Sequence, residues 1–281
     1  MSEVLSMAVS AKHVVFLCLA AGGLALCLAG RVSRAARLTA LAAAFVLLGG
    51  ILGLLIPDLG QPLGMHPSPM CSLNKLLAFA WLKGRFALGL AVSLGVMILL
   101  SVLFRKSFCG WACPLGAFQE LLHSVPGPAK LHNLPFPVSN WVRAGLMAAF
   151  VLGLLGFGVI TYDSFNGFEA LHWGWEPGAT VTLGLILLAS LFYFRPYCYL
   201  VCPIGLVTWA LEPLSLIGVQ KDGKACDGCL ACVSKAACPS LEGIVKGEAR
   251  WTPDCSSCGR CLESCPKGAL KVGLRSFRGW V

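Results

Sequence analysis

Five apolar runs, each close to twenty residues long, constrain the fold of this chain more than any other feature. They lie near residues 14–30, 38–56, 86–104, 141–161 and 178–194. A helix needs about 20 mostly apolar residues to cross the ~30 Å hydrocarbon core of a bilayer. Only 12% of the residues are charged, well below the share in an ordinary soluble domain. The sequence therefore predicts a mainly α-helical, polytopic membrane protein with about five spans.

Lysines and arginines in the short links predict the orientation. Arg31, Arg34 and Arg37 follow the first run, and Arg105 and Lys106 follow the third. The links at 57–83 and 162–177 contain two and no such residues, respectively. Because basic loops stay on the cytoplasmic side, we expect an inner-membrane protein with its N-terminus outside and its C-terminus in the cytoplasm. The net charge of +9 is then explained by membrane orientation, and no nucleic-acid partner is expected.

Residues 203–219 are long enough to be considered as a sixth span. Glu212 and Pro213 stand near the centre of this segment. An ionisable group and a helix breaker are both costly in a lipid-exposed helix, so the segment is predicted to be interfacial or re-entrant.

Two cysteine runs near the C-terminus predict iron–sulfur clusters. In two-cluster bacterial ferredoxins, three cysteines of such a run bind one [4Fe–4S] cluster and the fourth binds the other. The first cluster is assigned to Cys226, Cys229, Cys232 and Cys265, and the second to Cys255, Cys258, Cys261 and Cys238. Zinc also binds paired cysteines, but a zinc site uses four ligands rather than eight in two runs. Residues 219–281 are therefore predicted to form a cytoplasmic α+β ferredoxin domain, after a helical membrane domain at 1–218.

One irregularity lies in the first run, where five residues rather than three separate Cys232 from Cys238. Because Cys238 would serve the distant cluster, a longer loop can be accommodated there. The spacing leaves an altered first cluster open.

Four further cysteines form an internal repeat. Cys109-x3-Cys113-Pro-x-Gly recurs 89 positions later as Cys198-x3-Cys202-Pro-x-Gly, each time after an apolar run and a basic residue. Two such pairs at one membrane face would supply four thiolates for a third cluster. They could instead act as a redox dithiol, or be small residues that let helices pack closely.

The link at 162–177 combines acidic, imidazole and aromatic side chains. Asp163, Glu169 and His172 could accept protons from a quinol whose ring lies against the neighbouring aromatic residues. The alternative is an aromatic belt at headgroup depth. These three residues are the predicted quinone site.

The cysteine repeat and the two C-terminal runs together resemble the NapH-like membrane ferredoxin family, which includes MauN and the C-terminal part of NosR. The resemblance covers roughly residues 38–270, and it departs from the family in the extra helix before Arg31 and in the gap before Cys238. It implies a membrane-bound electron-transfer subunit of a quinol dehydrogenase type, which links the quinone pool or a cytoplasmic donor to an exported ferredoxin or reductase subunit. A second function that the resemblance implies is a redox factor for maturation of an exported metalloenzyme. Hydrolase and ATPase signatures such as a Walker loop or HExxH are absent from the sequence.

Overall fold

Helices dominate the residues described by the computed structural model, which are 11–58, 69–131, 135–160, 162, 166–171, 176–236, 238, 240–246 and 254–274. The N-terminal part contains α1 (Ala11–Leu28), α2 (Arg34–Leu48), α3 (Ile51–Leu55), α4 (Pro69–Lys83), α5 (Leu88–Phe104), α6 (Ser107–Trp111) and α7 (Pro114–His123). It is followed by α8 (Phe136–Phe157), α9 (Gly167–Leu171), α10 (Pro177–Ser190), α11 (Pro196–Leu200), α12 (Pro203–Ala210), α13 (Ala231–Ala236), α14 (Leu241–Lys246) and α15 (Arg260–Ser264). The predicted mainly helical class is confirmed.

Each of the five predicted spans corresponds to helix. Within the described residues, two helices, α1 and α8, are long and apolar enough to cross a membrane. The apolar helices α5 and α10 have 17 and 14 residues, and the second predicted run is split between α2 and α3. The split falls at Gly50, whose φ of 82° lies in the left-handed region that glycine adopts without steric cost. The count of five spans remains a prediction.

The internal repeat is visible in the helix order. An apolar helix (α5 or α10) is followed by a five-residue helix (α6 or α11) and then by a helix that starts with proline (α7 or α12). Proline suits the first helical position because the backbone N–H that it lacks would have no partner within the helix. The eight residues of α12 rise only about 12 Å. Residues 203–219 then continue as a 3₁₀ turn, Glu212–Leu214, and enter a strand, so they do not form one continuous helix.

A small two-stranded sheet joins the two ends of the C-terminal region. Strand β1 (Ile217–Lys221) pairs antiparallel with β2 (Leu270–Leu274), with Ile217 opposite Leu274. The strand begins two residues before the boundary that was predicted at residue 219. Val219 and Val272 share a buried cluster with Leu24 of α1 and Trp111 of α6. The ferredoxin-like region therefore packs directly against the helical region.

The larger hydrophobic core surrounds the two Cys-x3-Cys-Pro turns. Buried Phe108, Leu115, Tyr197 and Ile204, which neighbour these cysteines in sequence, belong to it together with residues of α1, α5 and α8. The predicted exported link at 57–83 also contains a helix, α4, which packs against α5. Its apolar residues are interspersed with polar ones, so a search for long apolar runs does not detect it.

Candidate metal centres

The two Cys-x3-Cys-Pro pairs face one cavity. Cys109 lies in α6 and Cys113 caps α7, while Cys198 lies in α11 and Cys202 caps α12, and all four line the cavity. Its volume of about 60 Å³ exceeds the roughly 10–15 Å³ that one water molecule requires. The structure thus brings together the four cysteines that the repeat predicts to act at one membrane face.

Hydrogen-bond donors from a helix N-terminus and from a side chain lie beside two of these sulfurs. The backbone N–H of Gly205, in the first turn of α12, donates to Cys202 Sγ at 3.4 Å. The side-chain amide of Gln119 donates to Cys198 Sγ at 3.7 Å. Donors and a positive helix end stabilise a thiolate, which is the form that binds metal.

Burial opposes ionisation of the same thiols. It raises the pKa of Cys109, Cys113 and Cys198, and it raises the pKa of Cys202 to about 11 although the Gly205 amide acts in the opposite direction. Cysteines must lose their protons to bind iron, so cluster assembly here would release protons.

A second group of cysteines forms in the C-terminal region. Cys238 lies close enough to Cys255 and Cys258 for electrostatic interaction, and Cys261 interacts with all three. Burial by itself would raise the pKa of Cys258, but nearby Arg37 and Arg195 lower it below the ordinary value. The structure groups Cys238 with the three cysteines of the other run, and the crossed ligand assignment stays a prediction.

The other four cysteines of this region differ in exposure, from buried Cys232 to exposed Cys229. Cys232 interacts electrostatically with Cys265 and Cys226, and the backbone N–H of exposed Cys229 donates to Asp227. Helix α13 runs from Ala231 to Ala236 and therefore occupies most of the five-residue gap before Cys238. The residues of this gap are thus largely helical, and the helix ends at Ala236, two residues before Cys238.

The second group adjoins the four-cysteine cavity. Asp254 and Ser256, which lie in or next to the Cys255–Cys261 run, line that cavity. A Cβ on Gly110 would lie 3.2 Å from Cys258 Cα, and it would also collide with the carbonyl oxygen of Ser256. The backbone of the ferredoxin run therefore rests on the glycine of the first Cys-Gly-Trp-Ala-Cys turn.

The donor chemistry of these groups fits iron–sulfur clusters. In the described residues, no three His, Cys, Asp or Glu side chains converge closely enough to hold a single metal ion. A [4Fe–4S] cluster has four irons, each bound to its own cysteine, so its ligands lie farther apart than those of one ion. All fourteen cysteines whose side chains are described are free thiols. The assignment of individual ligands remains a prediction.

Comparison with known proteins agrees with this chemistry. A family model described as a 4Fe-4S binding domain matches residues 86–131 and 176–215, the two ranges that contain the cysteine pairs. YccM of Escherichia coli, named as a candidate electron transport protein, is 28% identical over 60% of this chain and 51% of its own length. The ferredoxin-type protein NapH of Haemophilus influenzae is 27% identical over 64% of this chain and 66% of its length. The methylamine utilization ferredoxin-type protein MauN of Methylorubrum extorquens is 27% identical over 76% of this chain and 77% of its length.

The chain is thus similar to the ferredoxin-type proteins NapH and MauN, and part of it matches a 4Fe-4S binding family. The matched region spans less than two thirds of YccM and of the Haemophilus NapH. No solved structure gives a significant match. The family match supports iron–sulfur cluster binding and electron transfer.

Cations that the sequence assigned to membrane orientation form buried ion pairs in the structure. The Glu120 carboxylate of α7 accepts from Arg37 Nε at 2.6 Å and from Arg195 Nε at 2.9 Å. Arg37 also donates to the carbonyl oxygen of Cys258. Burial would raise the pKa of Glu120, but the arginines lower it to about 2. A charged network therefore links α2, α7 and the second cysteine group.

A second network ties the C-terminal region to the start of α6 and to α8. Asp254 forms ion pairs with Lys106 and, at 2.7 Å, with Arg143. Glu212 lies 3.2 Å from Lys106 and accepts from the backbone N–H of Cys255 at 2.8 Å. The predicted interfacial glutamate is thus a buried contact to the ferredoxin run.

Of the predicted quinone-site residues, only Glu169 lies in the described part of the chain, and Asp163 and His172 lie outside it. Glu169 is on α9 and lies 3.4 Å from Lys75 of α4. The neighbouring Phe168 is buried and lines the four-cysteine cavity. The links at 57–83 and 162–177, both predicted to be exported, therefore contact each other. The second link also lines the four-cysteine cavity through Phe168.

Sequence reasoning missed the partners of the cysteine turns. Arg37, Glu120, Arg143 and Asp254 are far apart in sequence and have no motif of their own. One signal was available: Lys106 and Arg195 stand exactly one repeat apart, each three residues before the first cysteine of its pair. A cation fixed at that distance from a ligand pair indicates a structural role beyond orientation.

Proposed function

We propose that this chain is a membrane-bound electron-transfer subunit that carries three iron–sulfur clusters and passes electrons between a cytoplasmic or quinone donor and an exported redox partner. The observation that supports it best is the cavity lined by Cys109, Cys113, Cys198 and Cys202, directly beside the group that contains Cys258. Two [4Fe–4S] clusters would be held by the C-terminal cysteines and the third by the cavity.

The membrane placement rests on five helical segments: α1, α2 with α3, α5, α8 and α10. Large apolar side chains on the outer faces of α8 and α10, such as Leu152 and Leu185, are more than 60% exposed, which suits contact with lipid tails. The cations at residues 31–37 and 105–106 favour an N-terminus outside and a C-terminus in the cytoplasm. The ferredoxin region then lies on the cytoplasmic side.

When bound, the clusters would supply one-electron carriers. The chain's own residues hold them through thiolates, exclude water by the apolar walls of the cavity, and keep the groups at fixed separation through the two ion networks. Phe168 of α9 extends the path from the cavity toward the side on which Glu169 and Lys75 meet. Asp163, Glu169 and His172 remain our proposed quinol-facing residues.

The test is anaerobic purification followed by iron and sulfide counting and EPR. Twelve irons are expected for three [4Fe–4S] clusters, each with four irons. Serine at any one of the four cavity cysteines should remove the same EPR signal, because all four serve one site. Cys18→Ser provides the control, since Cys18 is an exposed thiol on α1. An eight-iron protein with unequal, additive effects of the four substitutions would refute the third cluster.

The electron donor is tested on the same sample. Rapid reduction of the EPR-active centres by a quinol analogue supports quinol oxidation. Reduction only by a low-potential ferredoxin or flavodoxin would contradict the quinol link and favour the maturation factor.

A further inference from the structure

Arg195 lies between the four-cysteine cavity and the second cysteine group, which contains Cys258. Its side chain is 2% exposed, lines the four-cysteine cavity, and interacts electrostatically with both Cys198 and Cys258. Its backbone has a φ of 50°, a left-handed conformation that is costly for a residue with a side chain. Such backbone strain persists only where the surroundings hold it in place.

Each of the three nitrogens of the Arg195 guanidinium donates a hydrogen bond. Nη1 donates to the carbonyl oxygen of Cys109 at 2.6 Å, and Nη2 donates to that of Gly110 at 3.1 Å. Nε donates to Glu120 at 2.9 Å. The side chain therefore holds the backbone of the first Cys-x3-Cys turn, on which the run that contains Cys258 rests.

The second repeat has a matching arrangement. Nη1 of Arg143 donates to the carbonyl oxygen of Cys198 at 3.2 Å. In the second turn the glycine two residues after the proline leaves room for the arginine, because a Cβ on Gly205 would lie 2.7 Å from Arg143 Nη1. In the first turn a Cβ on Gly116 would lie 3.2 Å from the carbonyl oxygen of Cys109 and 3.4 Å from Arg195 Nη1, so the closest contact there is with the cysteine backbone.

The charges around Arg195 do not cancel. Glu120 is shared by Arg195, Arg37 and, at 3.6 Å, Arg260, so one carboxylate faces three guanidinium groups. Arg37 and Arg195 are both buried, where charges are screened far less than at the surface. A net positive field stabilises the reduced form of a cluster, because the reduced form carries one more negative charge.

We propose that Arg195 is a positioning residue that holds the first Cys-x3-Cys turn against the Cys255–Cys261 run and raises the reduction potentials of the clusters at both. This inference rests on the proposed function, since it requires clusters at these cysteines. Arg195 binds no iron itself. It acts through backbone carbonyls and through its charge.

The experiment compares Arg195→Gln, Arg195→Lys and the control Arg34→Gln by iron counting and EPR-monitored redox titration of the purified full chain. Arg34→Gln removes the same charge, but Arg34 is exposed and donates to the carbonyl oxygen of Ser124, away from the cysteine groups. Arg195→Gln should retain iron and favour the oxidised form at least tenfold, which equals a shift of 59 mV to more negative potential for one electron. Arg195→Lys should stay within about threefold of wild type, because it keeps the charge but not the fork.

Two results would overturn the proposal. The first is an iron-loaded Arg195→Gln protein with the potentials of wild type. The second is loss of iron from both Arg195 variants, which would mean that the side chain only holds the site together. If Arg195→Gln alone loses iron, wild-type potentials in Arg195→Lys support the proposal and a tenfold shift there refutes it. An eight-iron wild-type protein would refute the third cluster separately, and the Arg195 test would then apply to the Cys258 group alone.

Discussion

Replacing Asp254 with asparagine should loosen the ferredoxin region from the helices. The Asp254 carboxylate is buried and paired with Lys106, which directly precedes α6, and with Arg143 of α8. Burial would raise the pKa of Asp254, but these two cations lower it, so the group is ionised at neutral pH. Asparagine keeps the shape and removes the charge.

The size of the effect follows from the partners left behind. Removing one member of a buried ion pair costs about 3–5 kcal/mol, because the other member stays buried without compensation. Arg143 also contacts Asn140 and the carbonyl oxygen of Cys198, and Lys106 also contacts Glu212. We therefore expect the lower end of that range, about 3 kcal/mol, or roughly a hundredfold rise in the undocked population.

Limited proteolysis with a C-terminal tag measures this population. When the opening equilibrium is fast, the cleavage rate follows the fraction of open molecules. Glu242→Gln is the matched control. It removes one acidic charge from the same region, but Glu242 is exposed and its ion pair is with Lys246 on its own helix. The control should be cleaved at the wild-type rate.

A double-mutant cycle sharpens the test. Combining Asp254→Asn with Arg143→Gln should cost less than the sum of the two single substitutions, because both remove the same interaction. Wild-type cleavage of Asp254→Asn, or strict additivity with Arg143→Gln, would refute the role of this ion pair in docking.

Three further predictions address the cluster ligands, the topology and the glycine of the repeat. Cys258→Ala should lose iron and make the C-terminal region protease-sensitive, because so small a region has little core without its metal; an intact, iron-replete protein would refute the assignment. Alkaline phosphatase fused after Val281 should be inactive, because the C-terminus is predicted to be cytoplasmic, and activity would overturn the five-span topology. Gly205→Ala should lower the melting temperature, because the added Cβ would displace Arg143 from the cysteine turn, whereas Gly145→Ala, with open space around it, should not.

Much of the metal-binding chemistry of this protein can be predicted from the sequence, because it depends on the local spacing of cysteines. The three-residue steps between Cys226, Cys229 and Cys232 predict a ligand loop whatever the surrounding fold, and the structure places Cys238 near Cys255 and Cys258. Apolar run length likewise located the helices, although α2 and α8 begin earlier than apolarity alone indicates. Proline after Cys113 and Cys202 marked the start of the next helix.

Only the tertiary structure decided how distant segments meet. Nothing in the local sequence separates a loop arginine that orients a span from one that is buried against a carboxylate, because the difference is set by what packs over it. Arg195 and Glu120 are 75 positions apart, and both would be unfavourable in the interior without the other. The convergence of two cysteine pairs on one cavity has the same origin: spacing predicts two pairs, and the packing of the two repeats against each other places them together.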